Sequence, residues 1–172
     1  MVQIRHMRHT DARAIKELGS QIFREEDEIP LLQKALTLYI PSLSFVLVEE
    51  KKIIGFTIVG QTPTKHYTPF LATLPDGYEL AFLGVSRFCQ GRGLGSRLLK
   101  ETLNAIFQRS KQFTCWLLVD VTNVGAIKMY QKLGFRQWLT TPSELSYKEG
   151  FVMGLSHRRY NSRTRLNEVN RV

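Results

Sequence analysis

The sequence contains few cysteines and histidines, and their arrangement excludes several classes of protein. Its two cysteines, Cys89 and Cys115, do not form a C-x-x-C pair, and no Cys/His cluster has the spacing of metal ligands. The four histidines are scattered along the chain. These absences exclude a disulfide-stabilised mini-protein, and we expect no bound metal.

Long apolar runs are also missing. No stretch approaches the ~18 residues needed to span a bilayer, and the first residues, MVQIRH, contain no apolar signal-peptide core. We therefore expect a soluble protein of the reducing cytoplasm that does not bind membranes. With 172 residues, of which 43% are apolar and 23% charged, the chain has the composition of about one globular domain.

Acidic residues are scarce relative to basic ones: 15 Asp and Glu stand against 24 Lys and Arg, a net charge of +9. Residues 157–172 contain five arginines and one acid, so this segment alone carries +4. We expect residues 1–156 to form the domain and 157–172 to be a flexible basic tail. A basic excess is also typical of nucleic-acid-binding modules, which remain an alternative function through this tail.

Hydrophobic periodicity predicts a mixed α/β (α+β) domain with the element order β-α-α-β-β-β-α-β-α-β-β. Strands are expected at 1–7, 44–49, 53–61, 78–85, 113–120, 135–140 and 150–155, and helices at 12–23, 30–40, 93–109 and 123–133. Only three residues separate the strands 44–49 and 53–61, which indicates an antiparallel hairpin. We expect a mostly antiparallel sheet with helices on both faces.

A glycine-rich turn, QGRGLGS at residues 90–96, lies between a predicted strand and a predicted helix. Glycines let a backbone approach a ligand closely, and N–H groups at a helix start bind phosphates. A tight strand-to-helix connection is the plainer interpretation. A Walker A loop is excluded because its lysine is missing. Gly91, Gly93 and Ser96 nearly match a dinucleotide fingerprint, with Asp120 as the ribose-binding acid, but too little chain follows for a Rossmann-type domain.

The stretch LGVSRFCQGRGLG at residues 83–95 resembles the coenzyme A signature of the GNAT superfamily of acyl-CoA N-acyltransferases, with Gln90, Gly93 and Gly95 at the defining positions. Residues 119–126 (VDVTNVGA) and 129–135 (MYQKLGF) resemble two later motifs of this family. Ile4-Arg5 followed by Asp11 resembles its first strand and first helix cap. The resemblance implies an N-acetyltransferase that moves an acetyl group from acetyl-CoA directly to a primary amine within a ternary complex.

The same resemblance implies the residues that bind acetyl-CoA. They are Leu83, Gly84, Val85, Gln90, Gly91, Arg92, Gly93, Leu94, Gly95, Ser96 and Asn123. Backbone N–H groups of 91–96 would hold the pyrophosphate, and the backbone at Leu83 and Val85 would polarise the thioester. Asn123 would cap its helix and bind the pantetheine arm. Arg87, Arg92 and Arg97 either add charge-assisted contacts to the phosphates or are solvated surface charges.

For catalysis, the resemblance implies Tyr130 as the general acid that protonates the departing thiolate. Glu79 is either the general base or a solvent-facing strand residue, and both interpretations stay open. The acceptor groove would involve residues 23–31 and 140–150, flanked by the loop 62–77. The acceptor itself, a protein N-terminus, a lysine or a small-molecule amine, is left open, as is the choice between monomer and homodimer.

Overall fold

A computed structural model of the chain describes residues 1–23, 28–61, 74–141 and 149–169, with side chains as far as Thr164. The strands within these residues are β1 (Val2–His6), β2 (Phe45–Glu49), β3 (Lys52–Gly60), β4 (Gly77–Val85), β5 (Thr114–Asp120), β6 (Arg136–Thr141) and β7 (Gly150–Ser156). The helices are α1 (Ala12–Ile22), α2 (Glu28–Leu38), α3 (Leu94–Arg109), α4 (Val124–Leu133) and α5 (His157–Val169). The predicted element order is confirmed, and α5 is added to it.

The strands form one seven-stranded sheet in the order β1-β2-β3-β4-β5-β7-β6. Every neighbouring pair is antiparallel except β4 and β5, so the predicted fold class is confirmed. The parallel β4–β5 pairing covers only three positions and ends at Glu79 and Trp116. Because β4 continues to Val85 and β5 to Asp120, the sheet opens between the ends of these two strands.

One face of the sheet packs against α3 and α4. Side chains alternate between the two faces along a strand, and Tyr78, Leu80, Cys115 and Leu117 all point to this face. They pack against buried helical residues, namely Leu99, Leu103, Ile106 and Phe107 of α3 and Tyr130 and Leu133 of α4. Full burial of each large apolar side chain contributes about 1.5–3 kcal/mol, so this cluster fixes both helices to the sheet.

The opposite face packs against α1 and α2. Apolar residues of α1 and α2 at helical spacing lie over the central strands β2 and β3; they are Ile15, Leu18, Leu32 and Leu36, packed against Val46, Phe56 and Ile58. The sheet is thus covered on both faces, as the sequence predicts. None of the helices within the described residues is long and apolar enough to cross a membrane.

An ion pair joins β1 to the start of α1. The guanidinium of Arg5 donates to both carboxylate oxygens of Asp11, at 2.7 and 2.8 Å, and the Arg8 N–H donates to the same carboxylate at 2.8 Å. The hydrogen bond from Arg5 lowers the pKa of Asp11. The sequence predicts that Asp11 caps α1, but its side chain accepts no hydrogen bond from an N–H group of α1. It accepts from Arg5 and Arg8 instead.

The structure differs from the expected flexible tail, because residues 157–169 form helix α5. Tyr160 is buried in the cluster of α3 and α4, 5.3 Å from the Phe107 ring, and its hydroxyl donates to the Asn104 side chain at 2.8 Å. Composition did not reveal this helix, since Tyr160 is its one large apolar side chain among residues 157–164. The docking of α5 rests on Tyr160 and on the Arg159 side chain, which donates to the Gly134 carbonyl.

Candidate active site

A cavity of about 770 Å³ lies where β4 and β5 separate. It is bounded by the end of α1, the start of α2, the end of β4, the glycine-rich turn and the starts of α3 and α4. The lining residues are Ile22, Phe23, Glu28, Leu83, Gly84, Val85, Cys89, Gln90, Gly91, Gly93, Leu94, Gly95, Ser96, Asp120, Thr122, Asn123, Gly125, Ala126 and Met129. Ten of the eleven residues predicted to bind the cofactor are therefore brought together.

Helix α3 begins at this cavity through a turn that requires glycine. Gly91 and Gly93 have φ angles of 76° and 69°, in the left-handed region that residues with a Cβ rarely adopt. The first hydrogen bond within α3 runs from the Arg97 N–H to the Gly93 carbonyl at 3.1 Å. The preceding N–H groups have no partner inside the helix. Together with the helix dipole, they form a site suited to a phosphate.

The exposed edge of β4 presents backbone groups to the opening in the sheet. The Ser86 N–H donates to Ile54 of β3 at 2.8 Å. Backbone groups alternate in direction along a strand, so the N–H and C=O groups of Val85 and Leu83 point away from β3 and toward the opening. In agreement, the Val85 carbonyl accepts a hydrogen bond at 3.2 Å from the side chain of Gln90 rather than from β3.

Helix α4 also begins at the cavity. The Asn123 side-chain oxygen accepts from the Ala126 N–H at 3.2 Å, which confirms that this side chain caps the helix. Just before it, the Asp120 carboxylate accepts from the N–H and hydroxyl of Thr122, at 2.7 and 2.6 Å, and tightens the turn. The Asn123 amide nitrogen takes no part in the cap and remains available to a ligand.

Tyr130 lies on α4 in the buried cluster between α4 and the sheet, with its ring 5.6 Å from that of Phe135. Burial raises the pKa of Tyr130, and the nearby thiol of Cys115 raises it further. The phenol therefore keeps its proton at neutral pH. Tyr130 is absent from the described cavity lining, whereas its neighbour Met129 belongs to it.

Glu79 occupies the last paired position of β4, opposite Trp116 of β5. It is only 5% exposed, so the structure does not agree with a solvent-facing strand residue. Because Tyr78 and Leu80 point toward α3, the alternation directs Glu79 to the face that α1 and α2 cover. Glu79 and Tyr130 thus lie on opposite faces of the sheet, and neither belongs to the described cavity lining.

The arginines near the glycine-rich turn have partners in the protein or lie away from the cavity. Arg92 forms a two-pronged ion pair with Glu49 of β2, at 2.9 and 3.2 Å. Arg87 donates to the Ile22 carbonyl at the end of α1, at 3.1 Å. Neither of them, nor Arg97, belongs to the cavity lining among the described residues. Among the eleven residues predicted to bind the cofactor, Arg92 is the one that does not line the cavity.

The cavity also contains residues that the sequence reasoning did not name as site residues, among them Ile22, Cys89, Thr122 and Met129. Cys89, Thr122 and Met129 lie within the motif stretches 83–95, 119–126 and 129–135, so the motifs indicated their neighbourhood but not their place in the lining. Ile22 showed only helical periodicity. Phe23 and Glu28 fall within the predicted acceptor segment 23–31 and do reach the cavity. The other described parts of the acceptor prediction, at 29–31, 74–77, 140–141 and 149–150, do not line the cavity. Residues 24–27, 62–73 and 142–148 lie outside the described residues.

A helix start suited to a phosphate, beside an opening in a mixed sheet, is typical of α/β enzymes that bind nucleotide-containing ligands. The sequence profile of the Acetyltransferase (GNAT) family matches residues 9–135, and the chain belongs to this family. The resemblance drawn from the motifs is thereby confirmed, and so is its implication that the protein is an acyltransferase of the N-acetyltransferase type.

Three known proteins illustrate the relationship. The N-alpha-acetyltransferase RimI of Mycobacterium tuberculosis is 31% identical over 136 residues, which cover 79% of each chain. A mycothiol acetyltransferase of Mycobacterium leprae is 35% identical over 88 residues, 49% of this chain but only 25% of its own length. The crystal structure of Ard1 from Thermoplasma volcanium superimposes with a TM-score of 0.70 at 18% identity, covering 90% of this chain and 96% of Ard1. At that identity the likeness establishes the fold alone.

Proposed function

We propose that this protein transfers an acetyl group from acetyl-CoA directly to the α-amine of a protein N-terminus. The observation that carries the proposal is the cavity that joins the start of α3 to the end of α1 and the start of α2 through the opening between β4 and β5. A donor bound at the helix start and an acceptor entering beside α1 and α2 would meet at this opening, so no covalent enzyme intermediate is needed.

The donor would be held mainly by the backbone. N–H groups of Leu94, Gly95 and Ser96 would bind the pyrophosphate, because they lack partners within α3 and lie at its positive end. The pantetheine arm would lie along β4 and take hydrogen bonds from its free edge. The Asn123 amide nitrogen would donate to the arm while its oxygen continues to cap α4.

In the transfer step, the neutral amine attacks the thioester carbonyl carbon and a tetrahedral oxyanion forms. Backbone N–H groups on the free edge of β4, at Leu83 and Val85, would stabilise this oxyanion. The carbon–sulfur bond then breaks, and Tyr130 gives its proton to the departing thiolate. The proton that the amine loses would pass to Glu79. The raised pKa of Tyr130 keeps the phenol protonated between turnovers, so a proton is present when the thiolate departs.

Two arguments favour a protein N-terminus among the possible amines. The relative that covers 79% of both chains is named an N-alpha-acetyltransferase. In addition, an α-amine has a pKa of about 7.7–8.0, whereas the lysine side chain has one of about 10.4. A fraction of an α-amine is therefore neutral at physiological pH, whereas a lysine amine is almost wholly protonated, so the α-amine needs less help from a general base.

A panel of acceptors tests the proposal. Purified protein is given acetyl-CoA with a free N-terminal peptide, an N-terminally blocked peptide containing lysine, a polyamine or an aminoglycoside, and thiol release is followed with product mass spectrometry. We expect acetylation of the free α-amine. Acetylation confined to the lysine peptide or to a small amine would exclude the N-terminal acceptor. Absence of both thiol release and thermal stabilisation by acetyl-CoA would exclude the donor.

A further inference from the structure

Three arginines meet at the turn between α4 and β6, outside the described lining of the cavity: Arg136, Arg159 and Arg163, together the arginine patch. The Arg159 Nε–H donates to the Gly134 carbonyl at 2.5 Å. The Cγ atoms of Arg163 and Arg159 lie 3.4 and 3.8 Å from the position that a Cβ on Gly134 would occupy. Arg136 begins β6 two residues further on. The docking of α5 therefore assembles the patch.

The charge of the arginine patch is not neutralised within the described part of the protein. There, Arg5, Arg13 and Arg92 each form an ion pair with an acid, but no carboxylate pairs with a member of the patch. Partial burial lowers the pKa of Arg159, and repulsion from Arg136 and Arg163 lowers it further. Folding thus brings like charges together at a cost, and such a surface attracts anions.

The phosphates of acetyl-CoA do not account for this surface. The phosphate site lies at the start of α3, and none of the three arginines contributes to the described lining of that cavity. The patch instead lies at the far end of α4, where Gly134 ends the helix that Asn123 begins. An anion bound at the patch would occupy a second, separate site.

We propose that the arginine patch binds the phosphodiester backbone of a nucleic acid, independently of its sequence. The guanidinium group matches phosphate in two-pronged hydrogen bonding, and closely spaced cations suit the closely spaced charges of a nucleic-acid backbone. A site of this kind would hold the enzyme near a nucleic acid that accompanies its acceptor, without taking part in acetyl transfer.

The surroundings of the patch favour a nucleic acid over a membrane or an acidic protein. The one large apolar side chain among residues 157–164, Tyr160, is buried against α3, so these residues offer no apolar face to lipid. The exposed neighbours on α5, Asn161, Ser162 and Thr164, are polar. Protein interfaces have apolar and aromatic residues at their centres, and none of the exposed large apolar side chains of the described residues belongs to α5 or β6.

Binding of the full chain to a fluorescent RNA hairpin, and to a DNA duplex of the same sequence, tests the proposal by anisotropy at several salt concentrations. The test variant is Arg136→Gln/Arg163→Gln, which keeps the Arg159 bond to Gly134. Its matched control, Lys16→Gln/Lys52→Gln, removes the same charge from exposed positions on α1 and β3. We expect the test variant to bind roughly tenfold more weakly near ~0.15 M salt, with a salt slope on the DNA duplex lower by about 1.8, because two phosphate contacts are lost.

Several outcomes overturn the proposal: no binding to either nucleic acid, an equal loss in both variants, or tighter binding to anionic lipid vesicles or polyglutamate than to nucleic acid. Acetylation of a short peptide should be unchanged in the test variant, so the result is independent of the proposed acetyltransferase reaction. If the double variant does not keep the wild-type thermal midpoint, Arg163→Gln alone replaces it. Roughly a fourfold loss of affinity is then expected, and an unchanged affinity contradicts the proposal.

Discussion

The proposed phosphate site and the proposed reaction centre are built from different kinds of chemical group. The phosphate end consists of backbone N–H groups from one continuous segment, Gly91 to Ser96. The proposed reaction centre depends on a strand edge and on the side chains of Glu79 and Tyr130, which lie about fifty residues apart in the sequence and on opposite faces of the sheet. Substitutions at the first region should therefore act through backbone conformation, and those at the second through the chemical step.

The largest effect is expected from Tyr130→Phe. Loss of the general acid should lower kcat about 100- to 1,000-fold and leave the KM for acetyl-CoA within about twofold, as measured by steady-state thiol release. Tyr160→Phe is the matched control, since it removes a buried hydroxyl from the same cluster without chemical consequence. A normal kcat at saturating acetyl-CoA in Tyr130→Phe would show that this side chain only packs.

Glu79→Gln should have the next largest effect, with kcat reduced about 100-fold near neutral pH through loss of the general base. The loss should shrink as the pH rises past the pKa of the acceptor α-amine, about 8, because the amine then arrives neutral. A pH profile of kcat, with the exposed Glu101→Gln as control, distinguishes this role from a structural one. A defect that is the same at every pH contradicts the assignment.

Features that depend on neighbouring residues could be predicted from the sequence, and features that depend on distant residues could not. The glycine-rich turn and the cap at Asn123 depend on neighbouring residues, so local motifs were enough to locate the phosphate end. The ion pair of Arg92 with Glu49 joins residues 43 positions apart, and no local pattern reveals it. Helix α5 was missed for a similar reason, because it is held by Tyr160 contacts with α3, more than fifty residues earlier. Long-range pairing, not local propensity, decides such features.

Gly93→Ala should distinguish the phosphate end from the reaction centre. A Cβ at φ 69° is strained by about 1 kcal/mol or more, so the turn should shift and raise the KM for acetyl-CoA roughly tenfold while kcat changes little. The thermal midpoint should fall as well. Gly125→Ala is the control for stability. Gly125 lies in α4, and no heavy atom lies within 4 Å of the added methyl group. The thermal midpoint of this variant should rise, because alanine favours a helix more than glycine does. Equal shifts in both variants would contradict the strain argument.

The smallest effect is expected at Asn123, whose side chain caps α4 and is proposed to bind the donor. Asn123→Ala removes the cap on α4 and should cost about 1 kcal/mol of unfolding free energy, whereas Asn123→Asp keeps an oxygen that accepts from the Ala126 N–H. Both variants lose the amide nitrogen, so both should raise the KM for acetyl-CoA a few-fold. Chemical denaturation and steady-state kinetics measure the two consequences separately. If Asn123→Asp retains the wild-type KM, the side chain acts only as a cap, and binding of the donor at this end depends on backbone groups alone.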